Sequence, residues 1–346
     1  MPDLPKLSYV LLSHNRERYI RTAIESAFAQ DYEGELEYIF SDDCSTDQTY
    51  EIMKECVAAY KGPRRVVLTQ TPRNLHLAGN TNHAAQFVES DWMVRADDDD
   101  ISAVDRCTLI GRAIAAHPEA SMVFGTVENF TDKEEADVLR RAATLCSVSS
   151  FTTKSDKPSM KYFSGLSDGG KSWSHQVWSM KHFRTFGELP TDGYYIDDLT
   201  AFYRCAVLGN AVFFDHPISY IRVGSNNMCR GGDDGKDNYK ALVRLELFHD
   251  KYNDITRRPL REELDKMQHY VRQHPEMTRR GQDVLNMIKS AIEGRELWHG
   301  YWTGSTLHRL RVRKQAGGKG LFSMLRCLPL PLFAGLMTIY RTLIKR

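Results

Sequence analysis

The chain has 346 residues, 42% of them hydrophobic and 26% charged. That is enough to bury one large core with an appendage, or two cores, and it excludes a disordered protein. Its seven cysteines (Cys44, Cys56, Cys107, Cys146, Cys205, Cys229, Cys327) are odd in number, widely spaced and never paired as CxxC, which argues against a disulfide framework or a zinc knuckle and fits a reducing compartment. The net charge of +1 conceals an asymmetry. Nine basic residues and no acidic ones lie between Leu297 and Arg346, leaving 37 basic against 45 acidic residues elsewhere. The body is therefore acidic, with no nucleic-acid partner expected, and the tail is basic. Met1 to Lys6 holds two prolines and an acid and runs into a strand-like segment, a pattern unlike a signal peptide.

In chain order, Leu7 to Leu12 reads as a short strand, followed by a helix with Ile20, Ile24 and Phe28 at four-residue spacing. Leu36 to Phe40 is the next strand. Thr49 to Tyr60 is the next helix, with Asp47 near its start and Ile52, Met53, Cys56, Val57 and Tyr60 on one face. Val66 to Leu68 gives a third strand, Leu77 to Val88 a helix, and Asp91 to Val94 a fourth strand. Strands separated by helices predict an α/β fold, a doubly wound and mostly parallel sheet flanked by helices. In such sheets ligands bind beyond the carboxyl ends of the strands.

Three polar clusters fall at those ends: Ser13-His14-Asn15, Ser41 to Asp47, and the run Asp97-Asp98-Asp99-Asp100. Crowded carboxylates repel one another, so such a run either lies in a solvated loop or meets a hard divalent cation or a basic partner. The chain has neither GxGxxG nor GxxxxGK[ST], so a dinucleotide fold and a P-loop lack their glycines. A phosphate-bearing ligand is expected to be held through metal.

The order Ser13-His14-Asn15, then Asp42-Asp43-Cys44-Ser45-Thr46-Asp47-Gln48-Thr49, then Met93 to Ser102 resembles the family 2 glycosyltransferases of the GT-A fold. The resemblance runs from about residue 7 to 223. It implies an inverting transferase that moves a sugar from a nucleotide-diphosphate sugar to a hydroxyl of a glycan or lipid-linked saccharide. In the family's DDGSTD-like loop Asp43 matches the contact to the base, with Ser13, His14 and Asn15 lining the same pocket. Asp97 and Asp99 match the two ends of the DxD motif, whose carboxylates serve the nucleotide and Mn²⁺ or Mg²⁺. Asp100 matches a further family Asp, while Asp98 fills the variable position and is expected to point away.

Residues 74–82 resemble a family stretch written NxGxxxARN. His76 stands where Gly is usual, Thr81 where an Arg helps position the diphosphate, and Asn82 is the best-matched position. Arg73 and Arg95 are the candidates for the missing charge. Further on, Asp197-Asp198 followed by Leu199 to Arg204 resembles the family's ED-plus-helix run. The match makes Asp198 the catalytic base and gives Asp197 and Arg204 the neighbouring binding positions. Taken alone, an Asp-Asp pair there is a helix cap. The family's His after the strand Ile218 to Val223 has no counterpart here.

From Thr126 to Trp173 the periodicity weakens, as expected of an acceptor-recognising region. Trp173 and His175 either stack on a sugar or pack in the core, and Trp178 is expected to pack in the core. Residues 1–225 thus form the catalytic domain (nucleotide-sugar half 1–125, acceptor half 126–225) and 226–300 a helical extension punctuated by Pro259 and Pro275. Residues 301–346 form a basic, apolar tail. Only fourteen residues separate Arg326 from Arg341, interrupted by Pro329 and Pro331, too short for an ordinary spanning helix. The tail is expected to dock on an anionic membrane surface, making the protein cytoplasmic and peripheral on the inner face of the membrane. The losses at Thr81 and at the missing His motivate a rival reading, a noncatalytic nucleotide-sugar-binding or membrane-docked scaffold of the same fold.

Overall fold

The run Leu7–Ser13 forms strand β1, all seven residues buried, because it lies inside a parallel sheet covered on both faces and needs no polar side. It pairs in parallel with β2 (Leu36–Asp42) and with β4 (Trp92–Asp97), and β2 pairs in parallel with β3 (Val66–Gln70). The computed structural model describes residues 3–145, 153–156, 175–191, 197–223, 239–298, 301 and 306–315. Among these the full strand order is β3-β2-β1-β4-β8-β6-β9-β5, with β7 on β9. The additional strands are β5 (Ile101–Ser102), β6 (Ala120–Phe130), β7 (Thr153–Asp156), β8 (Val177–Ser179) and β9 (Asn210–Arg222). The first half is parallel, as expected. The second is mixed: β8 runs antiparallel to β4 and β6, β6 and β9 are parallel, and β5 and β7 run antiparallel to β9.

Helix α1 (Ile20–Phe28) buries Ile20, Ala23, Ile24 and Ala27, one face at helical spacing. These join Leu7, Tyr9 and Leu11 of β1 and Tyr38 and Phe40 of β2 in the main core. Fully burying one such isoleucine contributes about 1.5–3 kcal/mol, so Ile24→Ala is a core-breaking change. Helix α2 (Thr49–Ala59) adds Met53 and Cys56, and Tyr60 after it stacks on Phe28 with ring centroids 4.2 Å apart. Helix α3 spans His76–Ala85 and α4 Arg106–Ala116.

Helix α5 (Glu135–Ala142) lies in the region where periodicity had faded. Its signal was local. A short 3-10 turn precedes it with a capping box, in which Glu134 accepts from the Thr131 backbone and hydroxyl, both at 2.8 Å. Helix α6 (Lys181–Phe186) stops at Gly187, whose φ of 73° only glycine adopts readily. Helix α7 (Asp197–Leu208) packs against β6, β8 and β9. Trp178 is fully buried, in the core as expected.

Two compact units divide the chain: residues 1–222 with 266–285, and residues 223–265 with 286–346. The first carries the whole sheet. Helices α8 (Tyr239–Gln273), α9 (Thr278–Trp298) and α10 (Thr306–Gln315) follow it in sequence. Pro259, expected to interrupt, lies inside α8; a proline costs a helix one backbone bond and often a bend, and here helical backbone continues on both sides. Pro275 does begin a new turn. Among the described residues no helix is long and apolar enough to cross a membrane. Trp173, Tyr195, Ile196 and the stretch from residue 316 to Arg346 lie outside the described residues.

Candidate active site

Register brings the polar clusters together. Leu12 of β1 pairs with Asp97 of β4, and Ser13 with Asp42 of β2, so three strands end level and release their loops into one crevice.

The first two loops are laced to each other. Asn15 sits in left-handed backbone at φ 54°. Its N–H donates to Ser45 Oγ (2.9 Å), and its Oδ1 accepts from Thr46 N–H (2.8 Å). Cys44 has the same φ, and His76 has 60°. These are three non-glycine residues in a strained region, two in loops of this crevice and His76 at the first position of α3, where such strain tends to mark function. Asp43 is 2% exposed. Its Oδ1 accepts from Leu75 N–H (2.7 Å) and Thr71 Oγ (2.8 Å), its N–H donates to Ser13 O (2.8 Å), and no described protein group donates to Oδ2. His14 Nδ1 lies 2.8 Å from the Asp43 carbonyl. A carbonyl only accepts, so Nδ1 carries the hydrogen and Nε2 accepts from the amides of Asn74 (2.9 Å) and Asn15 (3.1 Å).

The aspartates diverge sharply. Asp97 is partly exposed and ion-paired with buried Arg95 at 3.2 Å. Asp98, expected to point away, turns inward: it is 8% exposed and accepts the His14 backbone N–H at 2.9 Å, because the sharp turn after β1 presents an otherwise unpaired donor. Asp99 faces Arg16 at 3.6 Å. Asp100 is clamped on both oxygens, with Oδ1 accepting from Arg222 N–H (2.7 Å) and Oδ2 lying 2.7 Å from His175 Nε2. His175 is 2% exposed and so is no open platform for a sugar; the ring is buried behind the carboxylate.

Burial, reinforced by neighbouring carboxylates, pushes Asp98, Asp99 and Asp100 well above the ordinary carboxylate range. Burial and then Arg106 push His175 down to about 3, keeping it a neutral imidazole. One oxygen each of Asp97 and Asp100 and a ring nitrogen of His175 lie within 4.8 Å of one another. Clustered hard oxygens and one neutral imidazole form a donor set that fits Mn²⁺ or Mg²⁺.

Two of the expected binding residues carry structural duties. Asn82 donates to Leu189 O (2.9 Å) and accepts from Leu189 N–H (2.8 Å), so both ends of its amide are occupied. Arg204, fully buried, donates to Gly187 O (2.7 Å) and Glu188 O (2.9 Å). From α3 and α7 they grip the same turn, 187–189. Asp198 stands in the first turn of α7, its Oδ1 accepting the Leu199 N–H at 2.6 Å; the side chain of Asp197 lies outside the described set.

Sequence reasoning missed Arg16 and Arg222. Arg222 donates to the Asp99 carbonyl (2.9 Å), Asp132 (2.6 Å) and Glu135 (3.2 Å), and its guanidinium sits 4.3 and 4.6 Å from the ring centroids of Tyr19 and Phe130. Contacts of this kind, between residues far apart in the chain, leave no local sequence signal.

Residues 8–205, more than half of the chain, match the family described as glycosyl transferase family 2. The putative glycosyltransferase EpsE of Bacillus subtilis is 38% identical over 98 residues, covering 28% of this chain and 34% of EpsE. The poly(ribitol-phosphate) beta-N-acetylglucosaminyltransferase TarS of Staphylococcus aureus is 31% identical over 97 residues, covering 28% of this chain and 16% of TarS. The matched stretch thus spans about a third or less of these relatives' own length. A crystal structure of S. aureus TarS 1–349 in complex with UDP-GlcNAc superposes over 97% of this chain and 92% of that one, with a TM-score of 0.52 at 14% identity; this is a likeness of fold.

Proposed function

Given that the chain belongs to glycosyl transferase family 2, with the GT-A fold, we propose that it transfers a sugar from a nucleotide-diphosphate sugar to an acceptor hydroxyl by a single, inverting displacement. The observation that carries this reading is the level ending of β1, β2 and β4, which gathers Ser13–Asn15, Asp43 and Asp97–Asp100 in one crevice.

In this reading the nucleoside enters between His14 and Asp43, whose Oδ2 receives no hydrogen bond from the described residues. Asp97 and Asp99 would hold Mn²⁺ or Mg²⁺, beside the donor cluster that Asp97 forms with Asp100 and His175. When bound, the cation neutralises charge developing on the departing diphosphate. Asp198 takes the acceptor's hydroxyl proton as that oxygen bonds to the anomeric carbon, and the bond from that carbon to the diphosphate breaks with its electron pair leaving on the nucleoside diphosphate. No covalent sugar-enzyme intermediate is required. The acceptor is a glycan or lipid-linked saccharide, met where the basic tail docks on the inner face of the membrane.

The test is donor turnover with Mn²⁺ across a panel of nucleotide sugars. Asp198→Asn is expected to abolish transfer while nucleoside diphosphate binding persists. Unchanged turnover would reject Asp198 as the base, and wild-type protein that binds donor without turnover would favour the scaffold reading.

A further inference from the structure

We propose that Arg16 is the guanidinium that meets the donor's diphosphate, and that it competes with a cation for Asp98 and Asp99, against which it rests. The inference builds on the nucleotide-sugar reading above and assigns a binding residue within it.

A diphosphate leaving group calls for a cation from the protein, and the geometry narrows the choice. Thr81 supplies none: it is fully buried and its hydroxyl donates to Leu77 O at 2.8 Å. Arg95, 2% exposed, is paired with Asp97. Arg106, fully buried, donates to Ser102 Oγ (2.9 Å) and Arg95 O (2.5 Å). Arg222 is 3% exposed and holds Asp132, Glu135 and the Asp99 carbonyl. Each is built into the wall. Arg73 is exposed on the loop after β3, where its carbonyl accepts from Thr71, the residue that also donates to Asp43; this places it at the base end of the crevice.

Arg16 differs from all of them. Its backbone N–H donates to Thr49 Oγ (2.7 Å), which fixes where its side chain starts. The side chain is 23% exposed, and Nε stands 3.5 Å from Asp98 Oδ1 and 3.6 Å from Asp99 Oδ2. Charge-assisted hydrogen bonds between such groups measure about 2.7–2.9 Å, and Nε, itself buried, has no hydrogen-bond partner among the described residues. Among the described residues Nη1 reaches only the neighbouring Asn15 carbonyl, at 3.2 Å. This guanidinium is held by charge rather than by a fitted bond. A cation arriving on the aspartates displaces it, and its planar fork then suits two phosphate oxygens.

The two roles give effects of opposite sign, which a residue with a purely structural task would not produce. Full-length wild type, Arg16→Gln, Arg16→Lys and Arg73→Gln are titrated with Mn²⁺ alone, followed by the spin resonance of the free ion. They are then titrated by calorimetry with UDP, GDP, ADP, CDP and dTDP, and with the matching nucleosides, at saturating Mn²⁺. Arg16→Gln is expected to bind Mn²⁺ alone about 3–10-fold more tightly, since a unit charge some 4 Å from the carboxylates is gone. It should bind the preferred diphosphate about 10–100-fold more weakly through loss of a charge-assisted pair, with nucleoside affinity unchanged. Arg16→Lys keeps the charge without the fork and should fall between, and it carries the test should the Gln variant not fold. Unchanged diphosphate affinity, equal weakening of nucleoside and diphosphate, or the diphosphate-specific loss appearing in Arg73→Gln instead would each overturn the proposal and leave the donor reading standing. Wild-type protein that binds none of the five diphosphates would overturn both.

Discussion

His175 Nε2 lies 2.7 Å from Asp100 Oδ2, between side chains exposed by only 1% and 5%. The contact joins the start of the β8 segment to the loop that ends β4, residues 75 apart in sequence. A buried pair of this kind fixes a carboxylate by removing its freedom to turn toward water.

His175→Leu leaves Asp100 with a buried, unpartnered oxygen, so it should cost about 1–3 kcal/mol of stability and weaken Mn²⁺ binding. His175→Gln, whose amide can still donate, should recover part of both. Denaturant unfolding and Mn²⁺ titration of the two variants check this. Equal damage from Leu and Gln would show that ring shape, not the hydrogen bond, is what the site needs.

The metal-free protein should lose stability as pH rises from about 6.5 to 8. Asp98, Asp99 and Asp100 are raised toward about 8, 7 and 8, chiefly by burial. The folded state therefore holds protons that the unfolded chain, with carboxyls near 4, has already released. Their contribution is complete below about pH 4 and fades as pH climbs through the raised values. His175, depressed to about 3, works the other way between about 3 and 6.5, where the unfolded imidazole binds the extra proton. The window above 6.5 is free of its effect. Melting temperature followed across that window, with and without Mn²⁺, should fall without the ion and be restored by it. A metal-independent, flat profile would contradict the burial of these carboxylates.

Cys44→Gly should leave the protein as stable or slightly more so. Cys44 holds φ 54°, where a side chain costs about 1–2 kcal/mol, against about 0.5–1 kcal/mol for the extra freedom glycine has when unfolded. The net expectation is a gain of about 0.5 kcal/mol, and the same reasoning covers His76→Gly at φ 60°. Urea midpoints measure it. A clear loss would mean that the side chain's contacts outweigh the backbone strain.

The basic tail should bind anionic membranes. Nine basic and no acidic residues between Leu297 and Arg346, at about 1 kcal/mol for each cation near the lipid surface, predict that the full chain floats with phosphatidylserine vesicles and that a version ending before Leu307 does not. Equal recovery of the two would reject membrane docking.

The parallel half of the fold was legible because each strand there is a continuous apolar run between amphipathic helices, a local pattern. The loop motifs were legible for the same reason: the residues of Ser13–Asn15 and Asp97–Asp100 are contiguous. What required tertiary structure was every role set by a distant partner. Asp98 turns inward because a backbone N–H from another strand's end awaits it. Asn82 and Arg204, matched to ligand positions by motif, also hold the turn 187–189, and His175 is buried against the carboxylate of Asp100. Sequence alone determined which residues stand at the mouth of the sheet, since chain order and strand ends fix that. The fold decided which of them keep a free hand for a ligand, because hydrogen-bond capacity is spent between neighbours in space and those neighbours come from distant parts of the chain.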